Sequence, residues 1–159
     1  MAPQVWRTLK LSGGGFVTGI QISDDGLTRL ITTDVYSSYI WEDSQWKPLL
    51  GEGRIPPTFP FGRNDKGYQC YAIAFAPSDP TRIYMVGTGT SDFAVSVWRS
   101  DSRGRTFTEL SKRDIGATIA ATDRLYGYKI AVDPANSNVV YFGDSAGIIF
   151  RTFDGGSTW

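Results

Sequence analysis

Apolar and polar residues alternate along most of the chain with a period of two, in short runs cut by Gly, Pro, Asp and Ser. That period places alternate side chains on opposite faces of a strand. Val5-Trp6-Arg7-Thr8-Leu9-Lys10-Leu11 predicts a first strand, and Ser12-Gly13-Gly14-Gly15 ends it in a flexible turn. Phe16 to Ser23 predicts a second, closed by Asp24-Asp25-Gly26, whose Asp-Gly pair suits a hairpin. Thr28 to Thr33 is strongly β-branched and predicts a third. Asp34 to Ser38 breaks the pattern, Tyr39-Ile40-Trp41 predicts a fourth strand, and Glu42-Asp43-Ser44-Gln45 turns into Trp46 to Leu50. From Gly51 to Gly67 no strand pattern holds. Pro56, Pro57 and Pro60 cannot donate to a ladder, so this stretch is expected to be an excursion over one face of the sheets. Tyr68 to Phe75 resumes strand character.

The pattern repeats. Tyr71 to Gly87 and Tyr128 to Gly143 share the register strand, Pro-bearing turn, strand. Each is followed by an aromatic-Arg-Ser/Thr strand and a Gly turn: Trp98-Arg99-Ser100 with Asp101 to Phe107, and Phe150-Arg151-Thr152 with Phe153 to Trp159. Gly19 to Trp46 is a degenerate earlier copy in which Asp24-Asp25-Gly26 replaces the Pro turn. A period of roughly 50–60 residues with about four strands per copy is the spacing of β-propeller blades. The last turn reads T-x-D-G-G-x-T-W, the pattern called an Asp box in sialidases and related propellers. Its Asp can accept from the N–H groups of its own turn, and its indole opens the next strand with an apolar face to bury. In the earlier copy Ser102 stands where the Asp belongs, and Asp101 beside it is a possible substitute. The expected fold is all-β: residues 1–159 form the N-terminal part of one propeller domain, about three blades of antiparallel strands in a partial, open set.

Composition narrows the function. The chain has 159 residues, and Lys+Arg 16 balances Asp+Glu 16, without the basic stripe of a nucleic-acid binder. No stretch is long and apolar enough to span a membrane, and Met1-Ala2-Pro3-Gln4 is not a signal peptide. The absence of histidine removes Ser-His-Asp and Cys-His catalysis and His-ligated zinc within this chain. Cys70 stands alone, with no internal disulfide partner and no metal cluster. No metal and no cofactor is expected. Aromatic residues reach 14 %, which suits sugar stacking and suits a packed core equally.

Gly13-Gly14-Gly15-Phe16-Val17-Thr18-Gly19-Ile20 resembles the opening of glycoside hydrolase family 74, xyloglucan-active endoglucanases built from two seven-bladed propellers. Thr33-Asp34-Val35-Tyr36-Ser37-Ser38-Tyr39-Ile40-Trp41 is similar to that family's Thr-Asp-Ile/Val-Gly-Gly-Ala-Tyr-Arg-Trp, and Ala72 to Tyr84 and Arg124 to Pro134 are similar to its later blades. The resemblance implies a polysaccharide substrate, xyloglucan or a related β-1,4-glucan, and an inverting mechanism with Asp34 as general base. It puts the acid on a second propeller domain of the same parent chain, and the parent protein outside the cell. On that reading the fragment alone is inactive.

Each site residue has a second reading. Asp34 is equally a strand-end cap of its own turn. Tyr36, Tyr39 and Trp41, with Tyr68 and Tyr126 from loops before the matched strands, are candidate sugar-facing aromatics that also suit core or rim. Arg124 suits sugar hydroxyls or a solvated surface. Tyr36-Ser37-Ser38 departs from the family's Gly-Gly-Ala and bears on the substrate. The alternatives are a non-catalytic propeller that binds protein or glycan, as sortilin-type receptors and photosystem assembly factors do, and a sialidase, for which Arg54-Ile55-Pro56 is the one suggestive tripeptide.

Overall fold

The computed structural model describes residues 16–34, 38–49, 70–88, 95–111 and 129–159. Among them every regular element is a strand: β1 (Val17–Ile22), β2 (Arg29–Thr33), β3 (Ser38–Glu42), β4 (Gln45–Pro48), β5 (Cys70–Ala76), β6 (Asp79–Thr88), β7 (Val95–Ser100), β8 (Thr108–Ser111), β9 (Ile130–Val132), β10 (Val140–Gly143) and β11 (Ile149–Thr152). Strands adjacent in sequence pair antiparallel, giving sheets β1-β2-β3-β4, β5-β6-β7-β8 and β11-β10-β9. This meander is the blade of a propeller, and among the described residues the sheets do not close into a ring. The expected strand at Val5–Leu11 and the excursion at Gly51–Gly67 lie outside the described residues.

The turns follow local chemistry. Asp43 and Ser44 both take positive φ, 51° and 62°, as the two-residue β3–β4 hairpin requires. The Pro-bearing turn between β5 and β6 is tighter than its sequence suggests, because Ala76 already pairs with Asp79. Pro80 falls just inside β6, where the register slips between Phe75 and Ala76. A bulge tolerates a residue that cannot donate.

The second sheet is buried on both faces, and its period of two sorts its side chains between them. Ile73, Ile83, Met85 and Trp98 face the first sheet, where they meet Leu30, Ile40 and Leu49. Ala72, Ala74, Ala76, Tyr84, Val86 and Val97 face the third, against Ile130, Val132, Val140 and Phe142. The row of alanines leaves room for the Tyr84 and Phe142 rings. Trp98 is completely buried; at ~25 cal/mol/Å² an indole of this kind contributes about 4–6 kcal/mol of transfer free energy. On β1, by contrast, Ile20 and Ile22 are exposed, as is Ile149 on β11.

Polar groups stitch the sheets along one end. Thr28 Oγ1 donates to the Pro80 carbonyl (2.8 Å) and accepts from Arg103 Nη1 (2.6 Å). Arg82 Nη1 reaches Asn138 Oδ1 (2.6 Å), Tyr84 OH donates to the Ser137 carbonyl (2.7 Å), and Arg99 Nη1 donates to the Gly155 carbonyl (2.9 Å).

Candidate functional site

Antiparallel order gives each sheet two distinct ends. The β1–β2, β3–β4, β5–β6, β7–β8 and β9–β10 turns, and the chain after β11, share the stitched end. Asp34 leaves β2 at the opposite end. There β4 stops at Pro48 and β5 starts at Cys70, and β8 stops at Ser111 and β9 starts at Ile130, so the long connections in the sequence belong to Asp34's end. Long connections on a rigid sheet scaffold are the usual bearers of function.

Acids at the stitched end serve the turns. Asp25 takes the Ser23 hydroxyl and the Leu27 N–H, which hold its carboxyl below the ordinary range. Asp133 Oδ1 accepts from Ala135 and Asn136 N–H. In the Asp box, Asp154 Oδ1 accepts from Thr152 Oγ1 (2.7 Å) and Thr158 N–H (2.9 Å), and Oδ2 accepts from Thr158 Oγ1 (2.6 Å). The Thr158 hydroxyl, then its N–H, hold the Asp154 carboxyl far below the usual carboxylate range.

In the incomplete box the substitute is Ser102, not Asp101. Ser102 Oγ accepts the Thr106 N–H (3.0 Å) and bonds the Thr106 hydroxyl (3.0 Å). Asp101 instead pairs with Arg82 Nε (2.6 Å) and Arg99 Nε (3.0 Å), the two arginines that reach the third sheet. Ser100 Oγ accepts the Gly104 N–H (2.9 Å), as Thr152 Oγ1 accepts the Gly156 N–H in the complete box.

Asp34 is held differently. Its Oδ1 accepts the Phe16 N–H (2.8 Å), and its own N–H donates to the Phe16 carbonyl (3.2 Å). This two-way lock, across the β1–β2 ladder, fixes one carboxylate oxygen. Among the described residues Oδ2 takes no hydrogen bond, and the side chain is partly exposed. By contrast Asp144, in the β10–β11 turn at the same end, has its Oδ1 bound by its own turn, to Ala146 N–H (3.0 Å) and Ile148 N–H (2.8 Å). A carboxylate anchored through one oxygen, with no partner at the other among the described residues, is suited to accept a proton from water.

The remaining candidates fall in different places. Tyr39 is 4 % exposed and packs with Ile31 and Trp46 on the face of the first sheet away from the second. Trp41 is half-buried, edge-on to Trp46 with ring centroids 5.3 Å apart, and lies further along β3 toward the stitched end. Both rings serve packing in this structure. Tyr36, Tyr68, Arg124 and Tyr126 lie outside the described residues, though in sequence all four belong to connections between strands that end on Asp34's side. Among the described residues no group of His, Cys, Asp and Glu is placed to hold a metal ion. The residue that sequence reasoning left unassigned is Phe16, which touches Asp34 through both backbone groups; its one signal was an aromatic directly after a glycine run.

No family model matches the chain. Over 99 % of its length it is 31 % identical to a xyloglucanase of Paenibacillus sp, of which it spans 15 %. Its fold superposes on the GH74 enzyme of Niastella koreensis with a TM-score of 0.73 at 30 % identity, covering 95 % of this chain and 22 % of that one. It also superposes on YCF48 bound to D1 peptide with a TM-score of 0.55 at 20 % identity, over 91 % of this chain and 39 % of that one, a likeness of fold alone. In sequence and in fold, the chain is similar throughout to one stretch of the glycoside hydrolase family 74 xyloglucanases.

Proposed function

We propose that the protein is a glycoside hydrolase acting on xyloglucan or a related β-1,4-glucan with inversion, and that Asp34 is its general base. The observation that carries this reading is the Asp34 carboxylate: Oδ1 locked on the Phe16 N–H at 2.8 Å, at the end of the sheets where the long connections leave. Similarity to xyloglucanases over nearly the whole chain supports the substrate class.

In this mechanism Oδ2 of Asp34 takes a proton from a water whose oxygen bonds to the anomeric carbon. As that bond forms, the bond to the glycosidic oxygen breaks, and a second carboxylic acid protonates the departing oxygen. Inversion needs the two carboxyl groups about 6.5–9.5 Å apart, with the water between them. We place the acid on a second propeller of the same protein, and Tyr36, Tyr68, Arg124 and Tyr126 along the sugar path between the two. A polymer substrate places the protein outside the cell.

The test is Asp34→Asn in the full protein. The amide oxygen still accepts the Phe16 N–H, so the fold is kept while the base is lost. The expected result is a fall in kcat of about 10²–10⁴-fold on xyloglucan with KM little changed, the range for removing a general base. Turnover at the wild-type level removes Asp34 from the mechanism.

A further inference from the structure

We propose that the ring of Phe16 is a sugar-stacking platform beside the Asp34 carboxylate, taking the apolar face of a glucosyl unit of the β-1,4-glucan next to the bond that is cut. The inference rests on the reading of Asp34 as the base and adds a binding role for a residue so far assigned none.

Phe16 uses only its backbone to hold Asp34: N–H to Oδ1 at 2.8 Å and C=O to the Asp34 N–H at 3.2 Å. The ring has no part in that lock. It is 59 % exposed, although a phenyl group gains more from burial than most side chains. Phe16 immediately precedes β1, which is the edge strand of its sheet among the described residues. The result is an exposed aromatic ring on the residue whose backbone anchors the Asp34 carboxylate. The pyranose rings of a β-1,4-glucan carry axial C–H groups on both faces and equatorial hydroxyls at the rim. Such a face is matched by an aromatic surface, while the neighbouring polar group fixes position. Ile22, 56 % exposed on the same strand, sits at the stitched end and lacks this neighbour.

The experiment compares Phe16→Ala, Phe16→Trp, Ile22→Ala and Asp34→Asn in the full protein, reading kcat, KM and Tm. Truncating the ring leaves the backbone lock in place. Phe16→Ala should therefore raise KM for xyloglucan about tenfold, the scale of one lost aromatic contact, with kcat within about twofold of wild type and Tm unchanged. Phe16→Trp should restore KM, and Ile22→Ala should leave it alone. If Phe16→Ala lowers Tm and leaves KM unchanged, the ring is packing in the full protein and the platform is overturned. An equal rise in KM for Ile22→Ala overturns it too, because the effect is then not local to Asp34. Loss of turnover in Asp34→Asn together with an unmoved KM in Phe16→Ala sinks this inference and spares the base; full turnover in Asp34→Asn sinks both.

Discussion

Gly104 tests whether the box turns hold one sheet against the next or only close their own hairpin. It has φ +76°, and a methyl group built on it meets Leu49 Cδ2 at 2.9 Å, Ile40 Cδ1 at 3.3 Å and Ile83 Cδ1 at 3.5 Å. All three neighbours are buried between the first and second sheets, with Leu49 and Ile83 at 0 % exposure, so none has open space to retreat into. Gly26 is the matched control: its φ is +67°, and the same methyl meets nothing within 4 Å. Left-handed backbone costs an ordinary residue about 1–2 kcal/mol, offset in part by about 0.4–1 kcal/mol from a stiffer unfolded chain. Gly26→Ala should therefore cost about 1 kcal/mol. Gly104→Ala should cost that plus about 1–3 kcal/mol of overpacking, or about 2–4 kcal/mol in all. Urea unfolding reads both as shifts of midpoint at constant slope. The steric share is isolated by adding Leu49→Ala, which by itself costs about 2–5 kcal/mol but gives the new methyl somewhere to go. The double variant should be more stable than the summed losses by at least about 0.5 kcal/mol. Equal costs for Gly26→Ala and Gly104→Ala, or a strictly additive cycle, refute the claim that this turn is packed into the core between sheets.

The strands were legible in the sequence because their signal is local. Phe16 to Ser23 was expected and Val17–Ile22 is found, since a glycine run before the apolar residues and an Asp-Gly turn after them bound the element in sequence. The strand, Pro-bearing turn, strand order over Tyr71 to Gly87 is found, but the length of the turn depends on the bulge that seats Pro80, and a bulge is a property of the pair of strands. Asp101 and Ser102 were indistinguishable for the same reason. They are neighbours in sequence, and only the fold shows that Ser102 meets Thr106 while Asp101 meets Arg82 and Arg99. Tyr39 and Trp41 share one face of β3, and only the folded sheet reveals that Tyr39 is buried there against Ile31 and Trp46 while Trp41 is half-buried. The setting of Asp34 rests on a contact to Phe16 across eighteen residues of sequence. No propensity or period carries that contact; the residue was singled out by resemblance, and the geometry of its carboxylate came from the fold.

Burial pushes the Cys70 thiol up to about 12, so native protein at pH 8 should resist a thiol reagent and react only on unfolding; prompt labelling of the native state contradicts the buried placement. The Asp154 carboxyl is held below its ordinary value near 3.9 by Thr158, so its contribution is present at neutral pH and lost as pH falls below about 4. The Tm gap between wild type and Asp154→Asn should thus close on acidification toward pH 2, and a constant gap is the contrary result. Ser102→Ala and Asp101→Ala should separate the two duties that sequence alone could not. Ser102→Ala removes the acceptor of the Thr106 N–H and should cost about 1 kcal/mol, with faster hydrogen exchange at the Thr106 amide. Asp101→Ala leaves that amide protected. It unpairs Arg82 and Arg99, which reach Asn138 and the Gly155 carbonyl. Because Asp101 is 49 % exposed, that loss should stay within about 1 kcal/mol and fade in high salt. If Asp101→Ala exposes the Thr106 amide and Ser102→Ala does not, the carboxylate staples the turn after all and the hydroxyl is a bystander.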